Sequence, residues 1–461
     1  MKKYIAAALT SALVLASACK DNPAAPSQDR VVAGSAQTLQ SLITGITSQD
    51  RTNYGGYYLW GGIMARDAIV PTINEQRFVT EFYVTLPDPS DFIGGSQWTG
   101  YYTLLRASQL LLKDASLTSM SAGDQAATRG FVRTTNAMSY LRLIEYRDVN
   151  GAVIQGNDPT KLDPIRTKQA VLAYASALLD SALTDLTAGS ATVPFALPSG
   201  YLLHGDYSQT ANLILFNRAL KGKVEVQRAL SATSPNAGST AAALTALNIA
   251  LAGAPSPVTQ AYLNSGPYYQ YQPASPESAV NPLPGSSNLV TDNFVASVMA
   301  GDLRGAQIIP AAKATVAGFT GQNRLKSTDP TNSSLQSAPL PIMRNAELFL
   351  LRAQAEIANN DLVSATNDIN AVHTVEGGLP AYATFTSSAA AIAAVLYEYR
   401  YSFAYAGPQH IVALREYGLF NIAYVSQAGM PSPGAADALV QSLPITQNEA
   451  NARGGNVTPV P

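Results

Sequence analysis

Read for the recurrence of apolar residues, most of the chain follows a helical period. Leu39, Leu42, Ile43 and Ile46 share one face of a segment from Ala36 to Ser48. Tyr101 to Ala115 does the same with Leu104, Leu105, Leu111 and Leu112, and Asp124 to Tyr146 with Phe131, Ala137, Met138, Leu141 and Ile144. Thr167 to Leu186 opens on a residue suited to an N-cap, and Ser208 to Ala229 and the alanine-rich Thr240 to Leu251 follow. The short connections between them predict antiparallel helix pairs.

The sharpest pattern runs from Ile342 to Val372. Its first half sets Ala346, Leu348, Leu351, Ala355 and Ala358 on one face; Asn359-Asn360-Asp361 makes a turn, with Asp361 as the next N-cap. Leu362, Ala365, Ile369 and Val372 face back across it, and the small Ala355 and Ala365 let the helices approach closely. This is the helix–turn–helix unit of tetratricopeptide-type repeats, whose period is about 34 residues. Gly377-Gly378-Leu379-Pro380 stops it, and a second pair follows at Ala389 to Ala406 and Gln409 to Tyr417. The expected fold is therefore mainly α, a scaffold of paired helices with irregular loops and a few short strands.

Composition narrows the function. Of 461 residues 47% are hydrophobic, which is ample for a core, and only 13% are charged, against about 25% in ordinary soluble proteins. Twenty-nine basic and 31 acidic residues leave no basic excess of the kind that tracks a phosphate backbone, so no nucleic-acid partner is expected. One cysteine forms no internal disulfide, and His204, His373 and His410 lack metal-ligand spacing. There is no Gly-x-Ser-x-Gly elbow, P-loop or His-Glu-x-x-His. Neither an enzyme, with catalytic residues, nor a cofactor or metal is expected.

The start of the chain carries an address. Lys2 and Lys3 precede a mainly apolar stretch, Ile5 to Ala18, too short for the about 20 residues of a membrane span. The sole cysteine, Cys19, follows Ala16-Ser17-Ala18 and is similar to the lipidated cysteine of a bacterial lipobox, with Ala16 where leucine is commonest. Cleavage before it makes residues 1–18 a signal peptide and 19–34 a lipidated tether, in which Asn22 to Gln28 is flexible or polyproline-like. The other reading is an ordinary secretory signal with an incidental cysteine.

Two aromatic clusters stand out. Arg51 to Asp67 holds Tyr54, Tyr57, Tyr58 and Trp60 between Gly55-Gly56 and Gly61-Gly62, glycines expected to break a helix and keep the rings out of one core. Tyr262 to Tyr271 lies among dense prolines that exclude a regular helix, which suggests a surface loop. Trp60, Tyr268, Tyr269 and Tyr271 are candidate stacking rings and Arg66 and Asp67 candidate hydroxyl-binding groups; packing of the first cluster against the scaffold, and ring burial or partner contact by the second, are the alternatives. Glu145, Arg147 and Asp148 read as a solvated helix end, and Arg344, Glu347, Glu398 and Arg400 as structural ion pairs.

The order of features resembles the SusD/RagB family. Arg344 to Pro380, then Leu396 to Gly418 with Glu398, Arg400, Phe403, Gly407, Leu414 and Arg415, match its C-terminal half. Gly301-Asp302-Leu303-Arg304 is similar to its Asp-Pro-Arg, and Leu443-Pro444-Ile445 with Glu449 and Asn451 to its final motif. Leu303, Thr446 and Pro408 depart from the pattern, as in a divergent branch. The resemblance implies about eight helices in four repeats, with residues 35–290 an N-terminal part packed as one body with 291–461. It implies a palmitate-bearing outer-membrane lipoprotein, without catalysis, that binds a nutrient, commonly an oligosaccharide, and delivers it to a SusC-like TonB-dependent transporter. A tetratricopeptide-like scaffold for outer-membrane protein assembly is the alternative.

Overall fold

The structure is a computed structural model that describes residues 36–461 apart from 91, 114–118, 157, 159–160, 232–233, 275–277 and 422–438. The expected signal peptide, Cys19 and the tether lie outside the described residues. No described helix is long and apolar enough to cross a membrane.

Among the described residues eight helices pack as four successive pairs. They are α1 (Ala36–Met64) with α2 (Gly95–Lys113), α3 (Ala122–Arg147) with α4 (Lys168–Thr187), α5 (Thr210–Leu230) with α6 (Ala237–Ala250), and α7 (Asn345–Ala358) with α8 (Leu362–Val375). Two further helices, α9 (Ser388–Ser402) and α10 (Gln409–Glu416), lead back to the first pair. The expected paired-helix scaffold is the fold observed. Side-chain caps start the helices where the sequence places them: Thr167 accepts the Ala170 N–H at 3.4 Å and Asp361 that of Ser364 at 3.1 Å. Small residues mark the crossings. Ala355 on α7 and Ala365 on α8 are both buried, and a Cβ on Gly222 would lie 2.4 Å from Leu247 across the third pair.

One element is longer than its pattern suggests. α1 runs unbroken through the glycines of residues 51–62. Those glycines face close neighbours: a Cβ on Gly61 would sit 2.6 Å from the Pro408 backbone and one on Gly55 3.3 Å from Pro282. They are contact surfaces of a helix, held by tertiary packing that outweighs their weak propensity.

Most strands are only two residues long, and β6 and β7 form a longer hairpin: β1 (Ala68–Ile69), β2 (Ala152–Val153), β3 (Ile165–Arg166), β4 (Tyr268–Tyr269), β5 (Leu289–Val290), β6 (Ile308–Val316), β7 (Phe319–Leu325) and β8 (Leu340–Pro341). One antiparallel sheet has the order β1-β5-β7-β6, while β2 pairs β3 and β4 pairs β8. The β6–β7 hairpin turns through Ala317 and Gly318, both at positive φ, which matches the twist of a two-residue hairpin loop.

Where α3, α5 and α7 meet, the core is ionic. Lys223 lies 3.1 Å from Glu145 and 3.0 Å from Glu347, and the Tyr57 hydroxyl donates to Glu145 at 2.5 Å. Burial alone lowers the Lys223 ammonium, but the two carboxylates outweigh it and hold its pKa above the ordinary lysine value. Glu145 and Arg147 are thus buried, and the end of α3 is no solvated helix end. The other charged residues of the C-terminal half do form structural ion pairs: Arg344 with Glu376, Glu398 with Arg304, and Arg400 with Asp67.

Candidate functional site

The six side chains singled out from the aromatic clusters are all buried. Trp60 lies edge-on to Tyr146 with ring centroids 6.2 Å apart. Asp67 accepts from Arg400 Nε at 2.7 Å and pairs with His410 Nδ1 at 2.6 Å, a latch from the end of α1 to α9 and α10. Burial raises the Asp67 pKa, but His410 and Arg400 outweigh it and hold it below the usual carboxylate value. Arg66, at φ 65°, lays its guanidinium 4.1 Å from the centre of the Tyr83 ring. Tyr268 donates to Asn264 O at 2.7 Å, and Tyr269 hydrogen-bonds Asp50 and Arg142. Tyr271 sits in the same core. The proline-rich segment is irregular, as expected, but it folds inward as β4 against β8 and carries its rings with it. Enclosed rings and paired charges offer a sugar no face, so the stacking assignment gives way to the packing alternative.

An open groove lies elsewhere, with a volume of about 560 Å³. Its floor comes from α2. Trp98, Tyr102 and Arg106 are four residues apart and so share one helical face, with Gln109 completing the stripe. The Trp98 and Tyr102 rings meet edge-on at 4.8 Å. The Tyr102 hydroxyl donates to Val153 O at 3.0 Å and accepts from Val153 N at 2.7 Å, which fixes the half-buried ring against β2. Behind the floor, Arg147 donates to Gly94 O at 2.8 Å and so holds the turn from which α2 starts.

The second wall is the loop after β2. Gln109 Nε2 donates to Gly156 O at 3.1 Å, and the Asp163 carboxylate takes the Gly156 N–H at 2.6 Å. The third wall comes from the far end of the chain, where Gln447–Ala452 is a short helix. Arg453 donates from Nε to Glu449 and from Nη2 to Asp163 O, both at 2.7 Å, joining the two walls. The half-buried Tyr102 ring on the floor, backed by the buried Trp98, with amides, carboxylates and guanidinium groups on the rim, suits a polyhydroxylated ligand with alternating C–H and O–H surfaces. No cluster of His, Cys, Asp or Glu fit to hold a metal ion occurs among the described residues.

The sequence reading missed Trp98, Tyr102, Arg106 and Gln109. Their signal was the repeat of large side chains every fourth residue, hidden because the expected helix began at Tyr101, past Trp98.

No protein-family profile matches the sequence, and no curated protein matches it. Solved structures do. A SusD superfamily protein of Parabacteroides distasonis is 13% identical with a TM-score of 0.67, over 90% of this chain and 97% of that one. The fold is that of the SusD superfamily. A SusD-like carbohydrate-binding protein of Bacteroides vulgatus is 15% identical (TM-score 0.59), over 83% of each chain. A structure determined with a xylogluco-oligosaccharide is 13% identical (TM-score 0.61), over 85% of this chain and 86% of that one. At these identities the likeness lies in the SusD fold itself, the four helix pairs and the loops packed on them.

Proposed function

We propose that this protein binds an oligosaccharide without transforming it, as a lipoprotein anchored at the outer membrane through Cys19, and hands it to a SusC-like TonB-dependent transporter. The groove on α2 carries the reading, because the half-buried Tyr102, backed by the buried Trp98, and a polar rim line an open groove suited to a sugar chain. Two neighbours in fold support it, one described as a carbohydrate-binding protein and one solved with a xylogluco-oligosaccharide. A binding role without catalysis is favoured because the groove carboxylates are engaged: Glu449 with Arg453 at 2.6 Å, Asp163 with the Gly156 amide, and Asp158 facing Lys161 at 3.8 Å.

A glycan array probed with purified residues 20–461 tests the binding, and retention of at least one oligosaccharide class is the expected result. Failure to bind any glycan would leave the protein-assembly scaffold as the better account. Anchoring is tested separately. Cys19→Ala is expected to release the protein from the membrane fraction, and globomycin to leave unprocessed precursor; unchanged fractionation and mass would defeat the lipoprotein reading.

A further inference from the structure

We propose that the groove takes an acidic oligosaccharide, one whose sugars carry carboxylates; this rests on the groove being a glycan site. The argument is one of charge and counter-charge. Each carboxylate on the groove already has a partner: Glu449 has Arg453, Asp158 has Lys161, and Asp163 holds a backbone N–H. Two guanidinium groups have no carboxylate within ion-pair reach among the described residues. Arg106, half-buried on the Trp98–Tyr102 stripe, gives a single hydrogen bond, to the neutral Gln109 Oε1 at 3.3 Å. Arg147 is buried beneath the floor, with its guanidinium carbon 5.3 Å from the Trp98 ring centre.

Arg147 donates to Gly94 O, while its Nε and Nη1 have no hydrogen-bond partner among the described residues. Burial pulls its pKa down from the usual arginine range to about 10, the mark of a cation short of compensation. Around the groove four cations (Arg106, Arg147, Lys161, Arg453) therefore meet three carboxylates (Asp158, Asp163, Glu449). Burying a guanidinium without a counter-charge is costly. A groove for neutral sugars gains nothing from that arrangement. A carboxylate-bearing chain laid along the half-exposed Tyr102 and Arg106 supplies the missing charge, and the fork of Arg106 suits a carboxylate's two oxygens.

The test is an array of matched pairs, each oligosaccharide printed as the uronate and as its carboxyl-reduced neutral form: galacturonate with galactose, glucuronate with glucose, mannuronate with mannose. Calorimetry on the best pair then gives the affinities. The expected result is a preference of at least tenfold for the uronate, about 1.4 kcal/mol, that shrinks as salt is raised. Arg106→Gln, checked for folding by circular dichroism, is expected to remove most of it. Equal or tighter binding of the neutral forms by the unaltered protein overturns the acidic assignment and leaves the glycan reading standing. A preference undiminished in folded Arg106→Gln overturns it too. Binding to no glycan, paired or unpaired, overturns both.

Discussion

Trp60 and Trp98 are the only tryptophans in the chain, and their surroundings set them apart. Both are buried, Trp60 edge-on to Tyr146 of α3 and Trp98 beneath the groove with the half-buried Tyr102 ring against it. Trp60→Ala is expected to cost about 3–5 kcal/mol as a core truncation, seen as a lower denaturation midpoint, with ligand affinity of the folded protein unchanged. Tyr102→Ala is expected to do the reverse, weakening binding about five- to hundredfold if a stacked ring is worth about 1–3 kcal/mol, a scale taken from base stacking. Equal effects of the two on calorimetric affinity would show that the groove is not the site. The rings that the sequence singled out are buried for a physical reason. Gly55, Gly56, Gly61 and Gly62 read as helix breakers when their neighbours are unknown, yet each has a close neighbour in the fold, and at Gly61 the backbone of Gly407 and Pro408 leaves no room for a Cβ. Arg142 is another unseen partner: its guanidinium, 4.3 Å from the Tyr54 ring centre and 2.6 Å from Asp50, anchors a buried tyrosine cluster that no local pattern reveals. A titrating pair also has a measurable signature. On α7 and α8 burial raises both Glu356 and Asp368, and the Asp368 charge presses Glu356 further up, so the pair keeps a proton well above the ordinary carboxylate range. A raised carboxyl binds a proton more tightly folded than unfolded, so the pair's contribution is complete below the ordinary carboxylate range and is lost as pH rises through its raised value. Urea titrations across that range should show a falling stability, and Glu356→Gln should flatten the slope.

At the scale of elements, helices were legible because each buries one face, and that face recurs in the sequence at a fixed period. The α7–α8 pair is the clearest case, with Ala355 and Ala365 in the crossing and Asp361 capping. What periodicity does not carry is where a helix ends when its neighbours, rather than its own residues, hold it. α1 shows this within one element. Gly45 has no atom within 4 Å of a would-be Cβ, whereas Gly61 abuts the backbone of Gly407 and Pro408. Gly45→Ala is expected to stabilise by about 0.5–1 kcal/mol through helix propensity. Gly61→Ala, an identical chemical change sixteen residues on, is expected to cost about 1–3 kcal/mol by overpacking. Opposite shifts of melting temperature would verify the pairing of α1 with the turn before α10; like shifts would refute it.

For the whole molecule, the polar centre matters most. Lys223 joins three helix pairs through Glu145 on α3 and Glu347 on α7. Lys223→Met would leave two buried carboxylates facing each other without a cation, and the expected loss is about 3–5 kcal/mol, measured by urea unfolding of the purified protein. A loss under about 1 kcal/mol, the size of a surface pair, would mean that water reaches this centre. Sequence could place Glu347 and Glu398 in structural pairs, but not name Lys223 or Arg304 as their partners. Ion pairs between distant helices leave no trace in local spacing.

The three walls of the groove come from residues near 98, 156 and 449, and Arg453 binds the last to the second through Asp163 O. Val460 adds a further tie, donating to Ile165 O at 2.8 Å and accepting from Thr167 N at 2.9 Å. Contacts so far apart along the chain close late in folding. The helix pairs rest on contacts closer in sequence, whereas the cleft needs residues 446–460 in place against 153–167. A polypeptide halted forty residues short would keep most of its helices yet lack a finished cleft.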